Sequence, residues 1–181
     1  NKVINNIKPD YIFHLAAILD RSRSFKNYEN VYKVNLFGTI NLLMATKDLT
    51  IKKFIFMSTS EIYGGEKNLV PFKEESNCIN PPSNYSISKL SAEKAIINYS
   101  KLFNKNYIIL RLFNFYDQNT TKNFFINKLI SKLKNNIDFD MTKGEQIRDF
   151  IHIDDVIESI LRSALCFEKN EIINVCTGKG N

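Results

Sequence analysis

The stretch Lys53-Phe54-Ile55-Phe56-Met57-Ser58-Thr59-Ser60-Glu61-Ile62-Tyr63-Gly64-Gly65 decides the fold class. Residues 53–57 form a short apolar run, too brief for a helix and closed by small polar residues and glycines. That pattern reads as a buried parallel strand that delivers hydroxyls at its carboxyl end. In open α/β sheets, ligands bind outside the carboxyl ends of the strands. Thr59 then stands where a substrate hydroxyl could meet it. Taken alone, Ser58, Thr59 and Ser60 read better as caps of the following turn.

The run Asn84-Tyr85-Ser86-Ile87-Ser88-Lys89-Leu90 changes that balance. Four residues of α-helix turn through about 400°, so Tyr85 and Lys89 lie on one face, one turn apart. A free tyrosine, with a pKa of about 10, is too weakly acidic to serve as a base at neutral pH. A fixed cation in a poorly hydrated site favours the phenolate. Lowering that pKa by about 3 units takes roughly 4 kcal/mol, within reach of one close, desolvated charge. Tyr85 and Lys89 together suit proton transfer to and from a sugar or alcohol hydroxyl.

Around these two stretches, strands and helices alternate. Residues 10–16, 53–57 and 107–112 read as strands. Residues 28–48, 84–103, 121–135 and 154–167 read as helices, the last with Asp154 or Asp155 near its N-terminus, where carboxylates are favoured. Residues 68–82 hold three of the four prolines and read as an irregular, substrate-facing loop. Such alternation implies a parallel sheet with right-handed crossovers.

Composition agrees with one α/β unit. A chain of 181 residues can bury a sizeable core, and 44% hydrophobic with 24% charged residues is ordinary for a globular protein. No apolar stretch approaches a membrane span. Cys78, Cys166 and Cys176 have no metal-ligand spacing, and their odd number suits free thiols in a reducing cytosol, so a cytoplasmic location and no bound metal are expected. The net charge of +6 admits a nucleic-acid partner. The lysines are scattered, however, and read as solvated helix faces, so nucleic acid is not the expected partner.

The chain resembles the extended short-chain dehydrogenase/reductases, in their NAD-dependent nucleotide-sugar epimerase/dehydratase branch. Seven segments carry the resemblance in the family's order. They are His14-Leu15-Ala16-Ala17; Val34-Asn35-Leu36-Phe37-Gly38-Thr39-Ile40-Asn41-Leu42-Leu43; Ser58-Thr59-Ser60-Glu61-Ile62-Tyr63-Gly64; and the Tyr85/Lys89 pair. Then follow Leu110-Arg111-Leu112-Phe113-Asn114-Phe115-Tyr116; Arg148-Asp149-Phe150-Ile151-His152-Ile153-Asp154-Asp155-Val156; and Asn174-Val175-Cys176-Thr177-Gly178. The resemblance implies a partial Rossmann-like, doubly wound parallel sheet over residues 1–116. It implies part of a smaller substrate-binding region over 117–181, with segments returning to the core.

It also implies site roles. Tyr85 exchanges the proton of the sugar hydroxyl. Lys89 lowers its pKa and reaches the nicotinamide ribose. Thr59 orients the same hydroxyl. Ala16 and Ala17 resemble a small pair that lets NAD or NADP approach the strand end, where ordinary core packing is the alternative. Asn35 resembles the residue that braces this region, and Ser58 joins the cofactor set. Asn114 and Arg148 match positions that hold a nucleotide-diphosphate sugar, since Arg can fork two hydrogen bonds to a diphosphate. A salt bridge from Arg148 to Asp149 or Asp154 is the alternative. His14 and His152 sit in segments that the family uses structurally, and neither receives a proton-transfer role.

One departure stands out: the family's Gly-x-x-Gly-x-x-Gly turn, which cradles the cofactor pyrophosphate, is missing, so the chain reads as an internal fragment of a longer enzyme. The subtype stays open. Glu61 is the candidate base of a dehydratase, or it faces solvent or caps a turn. Epimerase, dehydratase, 4-ketoreductase and decarboxylase all remain, with a homodimer as the candidate assembly. A non-catalytic or RNA-binding protein on the same fold is the rival from another class.

Overall fold

The structure, a computed structural model, describes residues 2–20, 22, 24–64, 71–117, 125–140, 143–166 and 170–180. Its strands are Tyr11–His14 (β1), Lys53–Thr59 (β2), Tyr107–Leu112 (β3), Asn114–Tyr116 (β4), Phe150–His152 (β5) and Glu171–Val175 (β6). β1, β2, β3 and β6 pair in that order as one parallel sheet, and β4 and β5 form a separate parallel pair. The helices are Lys2–Ile7 (α1), Tyr28–Tyr32 (α2), Gly38–Thr46 (α3), Asn84–Phe103 (α4), Phe125–Lys134 (α5) and Ile153–Cys166 (α6). This is the expected α/β class. Among the described residues, no helix is long and apolar enough to cross a membrane.

The side-chain alternation of β2 and β3 divides the core into two layers. Phe54, Phe56 and Ile109 pack with Ala92, Ile96 and Tyr99 of α4 and Leu43 of α3. Ile55, Ile108 and Leu110 pack with Val156 and Ala164 of α6, Ile151 of β5 and Val175 of β6. Both strands are buried on both faces, which is why they read as continuous apolar runs.

The helix expected over 84–103 has those bounds because both ends are chemically marked. The Ser83 hydroxyl accepts from Ser86 N–H, and the Ser86 hydroxyl accepts from Ser83 N–H, each at 3.1 Å, which closes a capping box. Asn104 ends the helix in the left-handed region at φ 49°. At the opposite side of the sheet, Lys53 is buried, and its ammonium donates to the carbonyls of Ser163 (3.2 Å) and Ala164 (3.0 Å). A cation at the last carbonyls of α6 complements the helix dipole.

Several expectations need adjustment. The first strand ends at His14, not residue 16, because residues 15–20 leave the sheet and dock elsewhere. The helix over 28–48 is interrupted by a π-helical turn, Lys33–Phe37, and ends at Thr46. The polar, fully buried Asn35 lies inside that turn. The helices over 121–135 and 154–167 are observed as α5 and α6, and the expected ends at Thr121 and Phe167 lie outside the described residues, as do residues 65–70. α1, β4, β5 and β6 were not anticipated. β6 and α6 bring the later part of the chain back onto the main sheet.

Candidate active site

At the carboxyl ends of β2 and β3 lies a cavity of about 200 Å³. Thr59 and Tyr85 both line it, with Ser58, Asn114 and a set of apolar side chains that includes Met57, Leu112, Phe113 and Phe150. The position follows from the sheet, since β2 ends with its last side chains beside the first turn of α4. Thr59 Oγ1 accepts from Glu61 N–H at 3.3 Å and so caps the 3-10 turn Ser60–Tyr63. Both readings of this hydroxyl therefore apply, because a hydroxyl that accepts one bond still has a proton to donate. Gly64 ends the turn at φ 82°, and a Cβ there would stand 2.7 Å from the Asn80 carbonyl oxygen.

Lys89 lies one turn below Tyr85 and is 1% exposed. It does not line the cavity. Its ammonium sits 3.9 Å from the centre of the Phe56 ring. Burial pushes its pKa down to about 7, against an opposing pull from Glu93. The lysine is thus poised near neutrality.

His14 comes close to the same lysine and is held neutral. Burial, and then the Lys89 charge, lower its pKa to about 4. Thr39 Oγ1 donates its only proton to the Asn35 carbonyl at 2.7 Å, so His14 Nε2 must be the donor in its 2.9 Å bond to Thr39. The ring has a fixed tautomer and packs against Phe54 and Phe56. It has a structural place, not a proton to exchange at neutral pH.

The other anticipated residues fall at three kinds of place. Ala16 and Ala17 are exposed on the segment after β1, so core packing does not account for them. Asn35 accepts from Ile18 N–H (2.7 Å) and donates to the Ile18 carbonyl (3.0 Å) and the Ser88 hydroxyl (3.0 Å). It clamps the segment after β1 onto α4. Ser58 reaches the cavity wall, but its hydroxyl donates to Glu93. Glu61 does not line the cavity, and its carboxylate accepts from the Ser83 hydroxyl at 3.3 Å.

Asn114 borders this cavity and a second one of about 650 Å³, which Lys128, Lys132 and Arg148 also line. Arg148 donates to the Ile147 carbonyl at 2.9 Å. Neither anticipated carboxylate pairs with it. Asp149 accepts from Thr177 N–H (2.9 Å) and Oγ1 (3.0 Å) and from Lys179 N–H (3.1 Å), while Asp154 lies 3.4 Å from His152 Nδ1. Arg148 thus lines the larger cavity without a carboxylate partner from Asp149 or Asp154.

A buried polar network was missed from the sequence. Glu93 and Arg111 form a two-point ion pair (2.8 and 3.2 Å), and Arg111 also donates to the Tyr63 hydroxyl and the Glu74 carbonyl, both at 2.8 Å. The Tyr63 hydroxyl donates to Asn174 Oδ1 at 2.7 Å. Two signals were present: an arginine inside an apolar strand, and a glutamate four residues beyond Lys89 on the same helix face. Such charges are buried only when paired.

A dinucleotide would meet mixed accommodation here. Ala16 and Ala17 present only small, exposed side chains on the segment after β1. The described glycines with positive φ, Gly64, Gly144 and Gly178, lie in loops and not at a helix N-terminus. The described residues thus offer small side chains after β1 and supply no glycine turn for the pyrophosphate.

Known proteins share this fold. The model of the NAD dependent epimerase/dehydratase family matches residues 1–176. The chain belongs to this family. It is 33% identical over 181 residues to the GDP-6-deoxy-D-talose 4-dehydrogenase of Aggregatibacter actinomycetemcomitans, covering 98% of this chain and 60% of that protein. It is 32% identical over 178 residues to the dTDP-D-glucose 4,6-dehydratase of Dictyostelium discoideum, covering 93% and 40%. The crystal structure of UDP-glucuronic acid 4-epimerase from Bacillus cereus, in complex with UDP-glucuronic acid and NAD, superposes with a TM-score of 0.86 at 32% identity, over 99% of this chain and 57% of that one. The chain therefore spans about half the length of its relatives. Members of this epimerase/dehydratase family are NAD-dependent enzymes acting on nucleotide sugars.

Proposed function

We propose that the enzyme containing this chain is a nucleotide-sugar 4-epimerase that uses NAD and takes a UDP-sugar. The observation that carries this reading is the make-up of the smaller cavity. Thr59 and Tyr85 converge on it, and among the described residues no carboxylate lines it. Oxidation and reduction at C4 need one hydroxyl-directed acid–base group. Dehydration also needs a group to remove the C5 proton, and Glu61, the candidate for that task, is tied to Ser83 outside the cavity.

When bound, NAD supplies hydride acceptance and return at the sugar carbon. The chain's residues handle the proton and the geometry. Tyr85 takes the proton from the C4 hydroxyl and later returns it. Lys89, when protonated behind it, favours the phenolate. Thr59 donates to or accepts from the same hydroxyl and fixes its rotation. The apolar side chains around them exclude water, which strengthens each of these interactions. Asn35 keeps the segment bearing Ala16 and Ala17 seated on α4. Lys128, Lys132 and Arg148 offer three cationic groups to a diphosphate in the larger cavity. Three free cysteines favour a reducing compartment, the cytoplasm, as the place of the reaction.

The test uses the full-length enzyme with NAD and UDP-glucose or UDP-glucuronic acid in deuterated water, followed by NMR. The expected product is the C4 epimer with no deuterium at C5, in wild type and in Glu61→Gln alike. A product lacking the C6 oxygen and labelled at C5, lost in Glu61→Gln, would replace this reading with dehydration.

A further inference from the structure

On α4, residues 85, 89 and 93 follow one another at four-residue spacing, so Glu93 continues the face that carries Tyr85 and Lys89. Glu93 is 1% exposed and Arg111 4%. Glu93 Oε1 receives the Ser58 hydroxyl and Arg111 Nε, and Oε2 receives Arg111 Nη2. Ser58 adjoins Thr59 at the end of β2. Arg111 lies on β3, in register with Ser58. One carboxylate thus binds the ends of two strands to the helix that holds the tyrosine.

This use of a buried charge is costly where it serves stability alone. Replacing a buried ion pair with apolar residues is often neutral or stabilising, and its best-attested benefit is to specify one arrangement over others. The arrangement specified here is the seating of the Thr59 end of β2 against the Tyr85 turn of α4. The apolar half of the same interface, Phe54 and Phe56 against Ala92 and Ile96, rests on burial, which is non-directional. The forked carboxylate–guanidinium pair is directional.

We propose that Glu93 is a positioning residue of this site: through Ser58 and Arg111 it locks the carboxyl end of β2 to α4 and sets the gap between the Thr59 and Tyr85 hydroxyls, while its charge steadies the Lys89 ammonium. The inference rests on the hydride-transfer reading above. Around this turn of α4, the titratable groups from neighbouring elements are His14 of β1, Tyr63 of the turn after β2, Cys78 of the segment before α4, and Tyr107 and Arg111 of β3, with Tyr85 on α4 itself. His14 is neutral and Arg111 is spent on Glu93, which leaves Glu93 as the anion that supports Lys89.

Three variants of the full-length enzyme test this. Glu93→Gln keeps the side chain's shape and loses its charge. Ser58→Ala cuts only the tie to β2. The double variant Glu93→Gln/Arg111→Gln removes both partners of the ion pair, so no buried Arg111 guanidinium is left without its carboxylate. The expected result for Glu93→Gln and the double variant is a fall in kcat of about 10²-fold, the scale of a misplacement near 1 Å, with KM for the sugar nucleotide little changed. Ser58→Ala should show a smaller fall of the same kind. The alkaline limb of kcat/KM should move to lower pH in Glu93→Gln. NMR titration of the Lys89 side chain should show the same downward shift without any turnover. If wild type does not turn over, the functional reading fails while the NMR titration still judges this inference. A Lys89 titration unmoved in Glu93→Gln, or normal kcat in Ser58→Ala, overturns it.

Discussion

The two faces of the main sheet are built from the same two strands and do different work. On the α6 face, Ile55, Ile108 and Leu110 meet Val156, Ala164 and Val175 in an aliphatic layer. On the α4 face, the layer is apolar only along its lower half, where Phe54 and Ile109 meet Ile96 and Tyr99. Toward the carboxyl ends it turns polar, with His14, Lys89, Glu93, Ser58 and Arg111 all buried. One face holds the fold together, and one end of the other face gives up that stabilisation to hold charged groups in place. The alternation of strand side chains makes this possible, because Ser58 and Arg111 point to α4 while their neighbours still feed the aliphatic layer.

Substitutions in the two layers should therefore fail in different ways. The largest effect is expected at the polar end. Tyr85→Phe in the full-length enzyme should cut turnover by about 10²–10⁴-fold with the fold kept and sugar-nucleotide affinity nearly unchanged, since only the titrating hydroxyl is lost. Steady-state rates beside calorimetric binding check this, and normal turnover would remove Tyr85 from the chemistry. Ile108→Ala, in the aliphatic layer, should show the opposite signature. It should cost about 2–5 kcal/mol in urea unfolding while the remaining folded enzyme keeps its kcat. A kcat loss larger than the folded fraction explains would mean that the two layers are not separable.

Lys89→Met sharpens the contrast, because it should stabilise while it inactivates. The folded-state pKa of about 7 lies below the ordinary 10.5, so between those values the unfolded chain holds more protons. Wild-type stability should rise as pH climbs from 7 to 10.5, by up to about 4 kcal/mol. Lys89→Met should begin higher at pH 7 and lose that rise. Thermal melts across pH 6–10.5 decide it, and a variant less stable than wild type at pH 7 would show that the ammonium contributes to the fold. The smallest effect belongs to His14. Its pKa is lowered from 6.5 to about 4, so the unfolded chain again binds more protons in that window. Stability should be intact above pH 6.5 and fall as pH drops toward 4, by up to about 3 kcal/mol. His14→Gln, which can still donate to Thr39, should flatten that slope.

Much of the α4 interface was legible because its signals are local. The β3 and α4 bounds coincide with the expected ones, since an apolar run and a serine cap need no distant partner to be recognised. The β2 run was read through Met57, and pairing with β3 extends the strand to Thr59. Burial of that strand on both faces also showed in its composition. What escaped notice depends on partners far along the chain. β6 is an ordinary strand only because β3 lies beside it, and the π turn at Asn35 has its counterpart in Ile18 and Ser88, 17 and 53 residues away. Glu61 sits beside Thr59 in sequence and still lies outside the cavity, because the 3-10 turn carries it toward Ser83.

The sequence by itself determined the alternating α/β order, the apolar strand run of residues 53–57 that leads toward Thr59, and the helix face that carries Tyr85 and Lys89. Periodicity and caps act within a few residues, so these features survive without knowledge of the rest. Tertiary structure alone decided which hydroxyls share a cavity, that Lys89 lies closed behind Tyr85 on the Phe56 ring, and that Glu93 and Arg111 join α4 to two strands. Those outcomes depend on desolvation and on hydrogen-bond distances across 18 to 35 residues of separation, and both exist only once the sheet has formed.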